Sequence, residues 1–144
     1  MDYIDWIHKN CKFAQQKSPL YMALMQLRPQ IARAAQGIYD AWEQDENNMD
    51  EEYGGGGICD EIAGAVEGIV SSSLPDVEVD DYGFDGDDHA SKIVSAIDLN
   101  TMQPTGERYL VDIPYSVYEQ GGGYNWKKIP NVVFTSNDVQ ILKI

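Results

Sequence analysis

Three residues of this chain could together carry out nucleophilic chemistry: Cys59, His89 and Asp112. A cysteine attacks as its thiolate. An imidazole can take up the thiol proton and return it to a leaving group. A carboxylate behind the imidazole orients the ring and stabilises its charged form. Each residue also has a plainer reading. Cys59 can be a small buried hydrophobe on a helix, His89 a solvated loop residue, and Asp112 an edge-strand carboxylate. The joint reading gains its weight from the elements expected to position them.

Cys59, Ile62, Ala63, Val66, Ile69 and Val70 recur at helical spacing. The pattern stops near Ser71-Ser72-Ser73-Leu74-Pro75. Cys59 therefore stands at a helix start, where unsatisfied N–H groups and the helix dipole favour negative charge. It follows Gly54-Gly55-Gly56-Gly57, which reads either as a close backbone approach or as a flexible linker. His89 opens a predicted strand over residues 89–99, after Asp85-Gly86-Asp87-Asp88. Asp112 is the only acid in an apolar strand predicted over 109–113, and a carboxylate in such surroundings needs a partner. Gln103-Pro104-Thr105-Gly106 reads as the turn of a hairpin that brings Asp112 toward His89. The two arms are unequal, so the approach calls for an irregular strand or a turn nearer Thr105.

The order Cys, His, Asp on a helix start, a strand and the next strand resembles that of papain-like and transglutaminase-like cysteine enzymes. Gly57-Ile58-Cys59-Asp60-Glu61-Ile62-Ala63 resembles the nucleophile helix of transglutaminase-like proteins. Val111-Asp112-Ile113-Pro114 is similar to their third motif, an aspartate ending a strand near a proline. The resemblance spans residues 54–114. It implies a small cysteine hydrolase or acyltransferase acting on an amide or thioester through Cys59, His89 and Asp112. Two features depart from the pattern. His89 is followed by Ala90-Ser91 where many relatives carry an aromatic residue, and no glutamine lies shortly before Cys59 to bind an oxyanion. Backbone N–H groups near Gly57 and Cys59, or the Tyr53 hydroxyl, would take that role.

The remaining sequence supplies the frame. Ile4, Ile7, Cys11 and Ala14 suggest an N-terminal helix that also carries His8. Ser18-Pro19 is an N-cap followed by proline at the first helical position, and a second helix runs from Leu20 toward Trp42, kinked or interrupted at Pro29. Further strands are predicted over 77–81, 132–134 and 139–144. Helices first and strands second give an α+β class, with the N-terminal helices and the nucleophile helix packed on an antiparallel sheet. The 144 residues read as a single domain, 1–144. Gly121-Gly122-Gly123-Tyr124-Asn125-Trp126 follows Tyr115 and Tyr118; it either lines a binding cleft with Trp126 or tucks Trp126 into the core.

Charge restricts the partners. The net charge of −14 repels phosphate backbones and anionic membranes, so direct nucleic-acid or membrane binding is not expected. Fifteen of the 24 acids fall in residues 43–61 and 76–88, flanking Cys59 and His89, which suits a cationic peptide or protein. The alternative is a non-catalytic acidic protein that mimics nucleic acid and blocks a basic partner; the charge can also serve solubility alone. No apolar run spans a bilayer and the N-terminus lacks a secretory pattern, so a cytoplasmic protein is expected. Two cysteines cannot form a disulfide scaffold or an all-cysteine zinc site. The acids of residues 80–88 miss EF-hand spacing, and a zinc site on Cys59, His89 and Asp112 is a minor alternative. No metal and no cofactor is expected.

Overall fold

The computed structural model describes residues 18–45, 58–83, 89–120 and 127–144. The expected first helix, with His8 and Cys11, lies outside them.

Helix α1 spans Pro19–Gln44. Its Ser18 cap accepts the Tyr21 N–H at 2.9 Å, and Pro19 sits where a missing N–H costs nothing. Ser18 Oγ also meets the Tyr109 hydroxyl at 3.0 Å, tying the helix start to the sheet. Leu24, Ile31, Ala35, Tyr39 and Trp42 form the buried stripe. The expected interruption at Pro29 does not occur: the helix continues through it. Leu24 and Ile31, on either side of the proline, are both fully buried, and their packing offsets the lost backbone bond. At the far end, Lys128 Nζ donates to the carbonyls of Trp42, Glu43 and Asp45, in the last turn where helix carbonyls run out of intrahelical donors.

Helix α2, Cys59–Ser73, begins at the residue its pattern predicts and buries Cys59, Ile62, Ala63, Val66 and Val70. Four antiparallel strands follow in the order β1-β2-β3-β6: β1 (Val77–Gly83), β2 (Ala90–Asp98), β3 (Gln103–Asp112) and β6 (Gln140–Lys143). A two-stranded ribbon, β4 (Glu119–Gln120) with β5 (Lys127–Lys128), lies between β3 and β6 in the chain. The class is α+β, with two helices packed on a four-stranded antiparallel sheet. Val94, Tyr109 and Val111 from the sheet join the helix stripes in one core. No helix among the described residues is long and apolar enough to cross a membrane.

Two details differ from expectation. The hairpin turn is at residues 99–102, where Asp98 Oδ1 accepts the Asn100 N–H at 2.8 Å and Met102 takes a left-handed φ of 57°. Pro104, Thr105 and Gly106 lie inside β3 instead. Pairing passes from Ser95↔Arg108 to Ile97↔Pro104, so residues 105–107 oppose Ala96 as a bulge, with Gly106 at φ 94°. The same proline and glycine chemistry that favours a turn also accommodates a bulge. Residues 132–134 do not form a strand. Three of their backbone groups bond α1 side chains instead: Gln36 donates to Val132 O at 3.1 Å and accepts from Phe134 N at 2.8 Å, while the Tyr39 hydroxyl accepts from Val132 N at 3.3 Å.

Candidate active site

The β2–β3 register determines the site. Lys92 pairs with Val111, so the start of β2 lies beside the end of β3. His89, the residue before β2, and Asp112, the last residue of β3, are thereby joined: His89 Nε2 and Asp112 Oδ2 are 2.8 Å apart. Both side chains are buried, at 1% and 3% exposure. Cys59 enters from the N-terminus of α2, close enough to the His89 imidazole to act on its titration. It is the most exposed of the three residues, at 9%.

Burial pushes the His89 pKa down, but hydrogen bonding to Asp112 and Cys59, and their negative charge, outweigh it and raise it from 6.5 to about 10. The imidazolium is therefore the form held at neutral pH. The Tyr115 ring, in the 3₁₀ turn Tyr115–Val117 that follows β3, packs against the imidazole at a centroid distance of 5.4 Å.

Two neighbouring residues were not singled out by the sequence. Glu119, at 4% exposure, accepts the Ile58 N–H on Oε1 at 3.1 Å, one residue before Cys59. Tyr118 is fully buried, and its hydroxyl has no hydrogen-bond partner among the described residues. Burial raises its pKa well above 10, and the negative charge of Asp112, Glu119, Cys59 and Asp60 adds to the effect, so the group stays a neutral O–H. The signal for Glu119 was present: like Asp112, it is an acid adjoining an apolar and aromatic run, Ile113 to Tyr118, with no base nearby in sequence. Tyr118 is wholly internal and Tyr115 packs on the imidazole.

The other expected site residues, Tyr53, Gly57 and Trp126, lie outside the described residues, as do Asp85, Asp87 and Asp88. Among the described residues no group of three His, Cys, Asp or Glu side chains could hold a metal ion. A surface cleft of about 570 Å³ between α1 and residues 133–136 contains none of the site residues.

The His89 environment gives a direct expectation. With only two histidines in the chain, ring-proton NMR should show His89 titrating near 10 and moving down toward 6.5 in Asp112→Asn. A folded-state pKa above the unfolded value stabilises the protein fully below about 6.5, and that contribution is lost as pH rises through about 10. Denaturant midpoints should fall across this window in the wild type and fall less in Asp112→Asn.

No protein-family model, curated protein or solved structure matches the chain.

Proposed function

We propose that this protein is a small cysteine hydrolase or acyltransferase, of the papain-like or transglutaminase-like kind, acting on an amide or thioester. The observation that carries this reading is the buried 2.8 Å bond from His89 Nε2 to Asp112, with Cys59 near enough to the same ring to help raise its pKa. Asp112 holds Nε2, so Nδ1 is the nitrogen that exchanges a proton with Cys59. The Cys59 sulfur attacks the carbonyl carbon while His89 bears the thiol proton. The C–N or C–S bond then breaks, and His89 gives the proton to the departing amine or thiol. Water resolves the acyl-enzyme in hydrolysis; an acceptor amine or thiol resolves it in transfer. The first-turn N–H of Cys59, which no intrahelical bond requires, is a candidate donor to the oxyanion. The acids flanking Cys59 and His89 in sequence favour a cationic peptide or protein as substrate. A reducing cytoplasm suits a working thiol.

The test is thiol reactivity. Iodoacetamide near neutral pH should alkylate Cys59 faster than Cys11, and His89→Ala should abolish the advantage. Equal labelling of the two native thiols would end the proposal.

A further inference from the structure

We propose that Glu119 is a positioning residue for the nucleophile, fixing Cys59 against His89 through the backbone N–H of Ile58. The inference rests on the Cys59–His89–Asp112 reading above.

Helix α2 needs such a residue. Its N-cap is Ile58, whose side chain cannot accept a hydrogen bond, and no side-chain cap bond is present. In a capping box the residue at the third helical position reaches back to the N-cap N–H. That position is Glu61, which is exposed, and the bond is made instead by Glu119, 61 residues beyond Ile58 in the chain. The bond is buried at both ends, with Ile58 at 1% and Glu119 at 4% exposure. A carboxylate accepting an amide N–H out of water is a charge-assisted bond, stronger than a neutral one.

The connection also has a direction. One short stretch of chain leaves β3 at Asp112, passes Tyr115 and reaches β4 at Glu119. Asp112 bonds the imidazole, Tyr115 packs on its ring, and Glu119 holds the backbone next to the thiol. The same segment thus grips both the base and the nucleophile, which come from different elements. A shift of the α2 start relative to β2 would separate sulfur from imidazole, and reaction geometry is sensitive to displacements of about 1 Å. Glu119 restricts that shift.

Charge and reach can be separated by two substitutions. Glu119→Gln keeps an oxygen acceptor at the same distance and removes the charge. Glu119→Asp keeps the charge and shortens the reach. The measurement is the iodoacetamide rate of Cys59 against pH, with circular dichroism for the fold and His89→Ala as reference. Glu119→Asp should slow Cys59 alkylation at neutral pH about tenfold, the size of one hydrogen bond, and move its pH midpoint upward. Glu119→Gln should stay within about threefold of wild type, because its acceptor is retained. Slowing by Gln with retention by Asp would overturn the proposal, since the role would then be electrostatic. A lowered denaturant midpoint in both variants with unchanged alkylation profiles would also overturn it, leaving a purely structural contact. Failure of the underlying reading gives a different result: His89→Ala would leave wild-type Cys59 reactivity unchanged.

Discussion

Asp112→Asn should lower thiol-dependent turnover by about 10⁴ while leaving the fold in place, the size of the loss when the orienting carboxylate of a serine-protease triad becomes an amide. Asp112 is 3% exposed and accepts from His89 Nε2 at 2.8 Å. An asparagine of the same shape can instead donate its NH₂ to Nε2, which places the ring proton on Nδ1. The nitrogen that should receive the Cys59 proton is then already occupied. The charge that stabilises the imidazolium is lost as well. Turnover can be followed by hydrolysis or acyl transfer on amide and thioester substrates, with circular dichroism as the check on folding. Undiminished turnover in a folded variant would remove Asp112 from the mechanism. The His89 resonance should move in the same sample, so chemistry and titration test one bond by two routes.

The second large effect is on stability. Trp42→Ala should cost about 3–5 kcal/mol, measured by denaturant unfolding. Trp42 is 1% exposed, packs edge-on against Tyr39 at 6.1 Å, and carries Lys128 Nζ 5.2 Å from its ring centroid. Its removal leaves a cavity at the end of α1 and takes away the ring beneath the lysine that caps the helix. Trp42→Phe should cost much less. It keeps an aromatic ring, and it removes an indole N–H that is buried with no hydrogen-bond partner among the described residues. Equal costs for the two substitutions would show that packing is not what Trp42 supplies.

The two effects differ in how they could be foreseen. Trp42 continues the apolar stripe of α1, so its burial follows from periodicity. Cys59 at the first position of α2 follows from periodicity as well. The proximity of His89 and Asp112 is harder, because it depends on strand register. Asp98 and Asn100 compete with Pro104 and Gly106 for the turn, and both pairs have turn-forming chemistry. The structure turns at residues 99–102 and absorbs Gly106 in a bulge, and this irregularity is what aligns the unequal arms. Residues 132–134 misled for a related reason: an apolar run with unsatisfied backbone groups looks like a strand whether its partner is another strand or the side chains of Gln36 and Tyr39.

By itself, then, the sequence determined what local chemistry can determine. Apolar spacing set the two helices and their buried faces, Ser18-Pro19 set where α1 begins, and the count of acids set the charge. It also singled out Cys59, His89 and Asp112, because a thiol at a helix start and a lone acid in an apolar strand are local anomalies. The tertiary structure decided the rest. Only the sheet register brings Asp112 onto His89 Nε2, and only chain folding over 61 residues brings Glu119 onto Ile58. Such contacts depend on how bulges and turns distribute residues between strands. A slip of one residue in a strand reverses the face of every side chain, so geometry at this scale is a property of the assembled sheet.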